Sequence, residues 1–134
     1  MYFTTHVVFS RLTKQNTMFL ELAHTRLDVF KTTKLLVLSC YSKSKLLPLD
    51  EKFNMVQQLR RAALSVHLNI AEGCSRKSSI ERRRFFEVSR GSAIEVDTIF
   101  DISIDLNYIK KEELEETGIL IIKTVQMLNK MIVY

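Results

Sequence analysis

The chain has 134 residues, with 20 Lys/Arg against 15 Asp/Glu for a formal net charge of +5, and 46% of it is hydrophobic. That length predicts one domain with enough apolar side chains to close a core, which excludes a disordered or collagen-like chain. Three Gly and one Pro supply too few reversals for a many-stranded β-sandwich or barrel, which turns roughly every 8 to 12 residues, so the predicted class is all-α.

Residues 1–17 mix Thr, Asn, Gln and scattered apolar residues without a helical period and read as an irregular arm. No charged stretch precedes the first apolar residues and no small-residue cleavage pattern follows, so no secretion signal is expected. The longest apolar runs, Leu35 to Leu38 and Ile119 to Ile122, fall far short of the roughly 18 to 20 residues of a membrane span. Cys40 and Cys74 lie far apart without C-x-x-C spacing, which predicts reduced thiols and a cytoplasmic protein.

Thr17 is a candidate N-cap for a first helix over 18–43, with a seam of Leu20, Ala23, Leu27, Phe30, Lys34, Val37 and Tyr41 at steps of three and four. After the only proline, Pro48, Asp50 offers an N-cap for a second helix over 50–72. Its seam is Val56, Leu59, Ala63, Val66 and Ile70, and Gly73 is a candidate left-handed residue just past its end. A third helix is predicted over 79–107 on Phe85, Ser89, Ser92, Val96, Ile99, Ser103 and Leu106, the serines pointing to close helix approach. A fourth follows over 111–133 on Leu114, Gly118, Ile121, Val125, Leu128 and Ile132. Four helices with short loops predict an antiparallel up-down four-helix bundle occupying 18–134. Ile102, Ile104, Leu120 and Ile122 widen the apolar stripes beyond a narrow core face, which predicts a homo-oligomer.

Charge is distributed unevenly. Residues 1–46 hold seven Lys/Arg and two Asp/Glu, residues 47–90 nine and five, and residues 91–134 four and eight. Arg76, Lys77, Arg82, Arg83, Arg84 and Arg90 are packed between the second and third helices, with Arg60 and Arg61 upstream. Such density attracts phosphate backbones through counterion release, and the first five are the candidate nucleic-acid-binding residues. The competing reading is electrostatic assembly: Asp97, Asp101 and Asp105 repeat every four residues on one side of the third helix and can receive a neighbouring subunit's basic end. RGG runs, RNP motifs and basic-aromatic interleaving are absent from the sequence.

The residues that carry chemistry elsewhere do not assemble into a catalytic or metal pattern. Glu21 and His24 form one Glu-x-x-His pair, but a carboxylate di-iron bundle needs a second, and His67 follows Leu64 rather than Glu at that spacing, while His6 lies in the arm. His67 is expected beside Arg60 or Asn69 on a half-buried face. Arg61 and Glu72 lie about three turns apart and are expected to form an interhelical ion pair, and Gly91-Ser92 is expected to mark a tight crossing. No enzyme, cofactor or metal is predicted.

The stretch from Gln58 to Gly73, QLRRAALSVHLNIAEG, followed by RRFFEVSRGSAIE from Arg83 to Glu95 and by Leu106-Asn-Tyr-Ile109, resembles the four-helix bundle family of 23S rRNA intervening-sequence proteins, also called S23 ribosomal proteins. Arg60, Arg61, Asn69, Glu72, Gly73, Gly91, Ser92 and Glu95 stand at that family's signature positions. His67 stands where the family commonly has Pro, Leu47 where Phe often precedes the proline, and the first helix matches only loosely. Members are similar to the accessory variability determinant proteins of diversity-generating retroelements. That likeness implies a homopentamer that binds RNA or DNA and has a protein partner such as a reverse transcriptase; a scaffold without nucleic-acid binding is the alternative.

Overall fold

A computed structural model describes residues 18–133, so the predicted arm over 1–17 and the Thr17 cap lie outside the described residues. In chain order the elements are a 3-10 turn Ala23–Arg26, helix α1 Asp28–Ser44, a 3-10 turn Leu49–Glu51, helix α2 Met55–Ser75, helix α3 Ser79–Asp105, a 3-10 turn Lys111–Leu114, and helix α4 Glu115–Met131. Among the described residues there is no strand, and no helix is long and apolar enough to cross a membrane.

Local chemistry sets several of these limits. Ser78 caps α3 by accepting from the Glu81 N–H at 3.3 Å. The far end of α3 closes on Asn107, whose φ of 60° is left-handed. There the Asn107 and Tyr108 amides donate back to the Ile104 and Ser103 carbonyls, both at 2.9 Å, the paired bonds of a Schellman ending.

α1 starts later than predicted. Leu20, Ala23 and Leu27 of the expected seam are exposed, and Leu27, extended at φ −68°, ψ 139°, separates the 3-10 turn Ala23–Arg26 from α1. α2 likewise starts at Met55 rather than 50: Asp50 lies in the preceding 3-10 turn, and the Glu51 carboxylate, not Asp50, accepts from the Met55 N–H at 3.3 Å.

Side-chain pairings fix the arrangement. Thr33 meets His67 and Ser44 meets Arg60, so residue numbers fall along α2 as they rise along α1. Gly73 lies against Phe86, and Ser65 bonds Ser92, giving the same descending order between α2 and α3. Arg90 reaches Asn129 on α4, and Ser39 of α1 bonds Thr117 of α4. Consecutive helices therefore run antiparallel, and α4 closes the ring against α1.

The core has two parts. A central cluster includes Leu36, Cys40, Leu59, Ala63, Val66, Val96 and Phe100, and a smaller one at the α2–α3 turn end joins Val29, Phe30, Ile70, Phe86, Leu128 and Ile132. The predicted α2 seam is buried except for half-buried Val56. On α1 the buried stripe runs Val29, Phe30, Thr33, Leu36, Cys40 and Ser44, one residue out of phase with Lys34, Val37 and Tyr41. α4 similarly buries Thr117 and Thr124 in place of Gly118 and Val125. Small hydroxyl residues take these positions because most return their hydrogen bond to the helices: Thr33 donates to the Phe30 carbonyl at 3.2 Å and Ser44 to that of Tyr41 at 2.7 Å.

Two glycine expectations are reversed. Gly73 lies inside α2 with negative φ, so it is no left-handed cap. A Cβ there would stand 2.6 Å from Phe86 Cε1 and 3.1 Å from Phe85 Cβ, so the tight crossing expected at Gly91 is at Gly73. Gly91 is exposed, with open space where its Cβ would be.

Candidate nucleic-acid interface

The basic cluster occupies the sharp turn between α2 and α3. Arg76 ends α2 in extended conformation at φ −82°, ψ 145°. Its guanidinium pairs with the Glu72 carboxylate at 3.2 Å and lies over the Phe85 ring, 4.9 Å from the centroid. The Arg76 carbonyl accepts the Arg82 Nε–H at 2.6 Å, so Arg82 folds back over the turn. Lys77 and Arg84 are exposed and Arg83 is half-buried. All five candidate residues thus fall on one turn and the first two turns of α3.

The antiparallel fold adds to this cluster. Residues 18–36, 65–91 and 123–133, the half of the bundle that contains the turn, carry eleven Lys/Arg against five Asp/Glu. The other half, residues 37–64 and 92–122, carries seven against ten, including Asp97, Asp101 and Asp105, all exposed. The described residues therefore form a dipolar body, +6 in one half and −3 in the other, with one strongly cationic end.

The remaining singled-out residues separate. Arg61 and Glu72 form no interhelical pair: Arg61 is exposed, and Glu72 pairs with Arg76 one turn along on the surface. Arg60 lies midway along the bundle, donating to Ser44 Oγ at 3.0 Å and stacked on Tyr41 at 5.0 Å. Asn69 donates to the Ser65 carbonyl at 2.8 Å and to its hydroxyl at 3.0 Å, and that hydroxyl meets Ser92 at 2.8 Å. Asn69 and Ser92 therefore lock α2 to α3 through Ser65, which stands in the same signature stretch, off the apolar seam of α2. Glu95 is exposed.

His67 has neither Arg60 nor Asn69 beside it. Its Nδ1 is 2.8 Å from Thr33 Oγ1 and its ring lies 4.2 Å from Phe30, whose other neighbour is His24 at 5.0 Å. Since the Thr33 hydroxyl donates to the Phe30 carbonyl, Nδ1–H donates to Thr33. Burial, with help from Lys34 and His24, pushes His67 down to about 4. The imidazole is thus a neutral interhelical tie. Glu21 is exposed, and among the described residues no group of three or more His, Cys, Asp or Glu is placed to hold a metal ion. Both cysteines are free; burial pushes the Cys40 thiol up to about 12 and also raises that of Cys74, with Arg82 opposing.

Residues 25–130 match the family model for the 23S rRNA-intervening sequence protein. A solved structure of a protein with unknown function from the S23 ribosomal protein family of Bacteroides thetaiotaomicron VPI-5482 is similar at TM-score 0.72 and 20% identity, over 79% of this chain and 99% of that one. At that identity the likeness is one of fold. No curated protein matches the chain.

Proposed function

We propose that this chain, which belongs to the 23S rRNA-intervening sequence protein family, is a non-enzymatic homo-oligomeric bundle that binds RNA or DNA through the phosphate backbone in the cytoplasm. The contacts are Arg76, Lys77, Arg82, Arg83 and Arg84. One observation carries this reading: the fold gathers the charge of three separated stretches at one end of the bundle and places the arginine turn there, while acidic side chains collect at the other. A backbone of closely spaced phosphates is attracted to the first end and repelled by the second.

The oligomer is supported by the outward side of α3, where Ile80, Val88, Ile94 and Ile102 are exposed, and by exposed Leu64 and Leu68 on α2. Large apolar side chains exposed on two neighbouring helices are the kind of surface that a second chain can cover. The same surface favours a second reading, a scaffold that docks a protein partner and leaves nucleic acid alone.

Fluorescence anisotropy of a labelled structured RNA and a matched DNA, titrated with protein at about 50 and 200 mM salt, separates the two. Binding that weakens steeply with salt, and is lost when the five residues are changed to Glu, supports the nucleic-acid reading. Because Arg76 and Arg82 also hold the turn together, Lys77→Glu/Arg84→Glu is the control that weakens binding without touching those contacts. No binding at the lower salt, or unchanged affinity in both variants, refutes it. Light scattering of the same samples reports the oligomer, and dissociation at high salt would support assembly through charge.

A further inference from the structure

On the opposite side of the same basic end, α1 and α4 enclose an open groove of about 400 Å³. Asp28, Lys31 and Thr32 line it from α1, and Lys123, Gln126 and Lys130 from α4. Leu35 and Met127 supply apolar surface along it. The three ammonium groups come from segments more than ninety residues apart, so no stretch of sequence displays them together.

Nothing among the described residues pairs with them. Lys31, Lys123 and Lys130 form no ion pair with any described residue, and Asp28 closes none with them. Lys31 lies in the first turn of α1, where the helix dipole disfavours a cation. Lys123 and Lys130 are seven residues apart, two turns of one helix, and present their charges along one line. Three ammonium groups against the one carboxylate of Asp28 leave the groove with a net positive charge that attracts an anion. The neighbouring amide and hydroxyl of Gln126 and Thr32 suit phosphate and sugar oxygens, and the Leu35–Met127 surface suits the face of a base.

We propose that this groove is a second phosphate-binding surface for the nucleic acid that the arginine turn holds, so that one strand crosses the basic end from the α2–α3 turn to the α1–α4 groove. This inference rests on the nucleic-acid reading above. The bond from Arg90 to Asn129, at 2.9 Å, places a guanidinium on the α3–α4 side between the two surfaces. With neighbouring helices about 8 to 10 Å apart, the crossing spans roughly 15 to 20 Å, or about five phosphates at the spacing of a duplex strand.

The test uses the full chain and labelled oligonucleotides of about 4 and about 20 nucleotides. In Lys31→Gln/Lys123→Gln/Lys130→Gln, all three sites being exposed, the slope of log affinity against log salt for the long oligonucleotide should fall by about two to three. Affinity for it should drop at least tenfold, while the short one, able to occupy the arginine turn alone, should bind as before. A thermal melt matching that of the unaltered protein confirms the fold. If the five arginine-turn changes abolish binding but the lysine variant keeps the full slope, the groove is refuted and the arginine reading stands. If the unaltered chain binds neither oligonucleotide, the reading and this inference fall together. Loss of the short oligonucleotide in the lysine variant also overturns the two-surface arrangement, because it makes the groove the primary site.

Discussion

Replacing Gly73 by Ala tests the helix crossing at the basic end. A Cβ at that position would meet Phe86 Cε1 at 2.6 Å and Cδ1 at 3.0 Å, against a normal carbon contact of about 3.5 to 4.0 Å. The Phe86 ring is buried and must move by about 1 Å, or the two helices must part. Overpacking of this kind costs about 1 to 3 kcal/mol. Against it stands the gain of about 1 kcal/mol from exchanging Gly for Ala inside a helix. Gly91→Ala isolates that gain, because Gly91 is also helical but faces open space. Both variants receive the same propensity benefit, so the difference between them reports the contact alone. We expect Gly91→Ala to unfold at higher urea concentration than the unaltered protein, and Gly73→Ala to be less stable than Gly91→Ala by about 1 to 3 kcal/mol, roughly 4 to 12 °C in Tm for a domain of this size. In a Phe86→Leu background the difference should shrink, since the two sites are coupled through one contact. Equal stabilisation by both substitutions would refute the argument that α2 and α3 are pinned at Gly73.

Thr124 Oγ1 is buried without a hydrogen-bond partner, so Thr124→Val should raise stability by about 1 kcal/mol in urea unfolding; a loss would mean that the hydroxyl is satisfied after all. His67 gives stability a pH dependence. Its folded-state value near 4 lies below the usual 6.5 or so, so the unfolded chain takes the proton first and the contribution, complete above pH 6.5, is lost as pH falls toward 4. The linkage is at most about 3 kcal/mol, and about half that after screening of a half-buried ring. Unfolding free energies at pH 7 and 5 should therefore differ more in the unaltered protein than in His67→Gln, and equal differences would contradict the neutral tie. Finally, a disulfide reagent followed by mass spectrometry should label half-buried Cys74 slowly in the native protein and fully buried Cys40 only after unfolding; rapid labelling of Cys40 would contradict its place in the core.

The α2 seam was legible because its apolar residues alternate with charged and polar ones, leaving a single phase of the helix that buries them. α1 and α4 contain continuous apolar runs, Leu35 to Leu38 and Ile119 to Ile122, in which several phases bury equal area. The choice then fell to the facing helices, and it brought Thr33, Ser44, Thr117 and Thr124 into the core. The ion pair expected between Arg61 and Glu72 failed for a related reason: sharing one side of a helix does not say whether that side faces a neighbour or water. Asn69 and Ser92 were singled out and Ser65 stands in the same signature stretch, but that Ser65 joins the two is decided only when α3 is laid against α2.

By itself the sequence determined an all-α chain of four helices, the seam of α2, and the arginine density of the α2–α3 turn. These rest on local composition, on the spacing of apolar residues along one helix, and on residues adjacent in the chain. Only the tertiary structure decided which glycine bears the tight crossing, where α1 begins, and that Lys31, Lys123 and Lys130 line one groove at the end that carries the arginines. Steric contact and electrostatic potential depend on distance in space, and the antiparallel packing of the helices brings together charges that lie far apart along the chain.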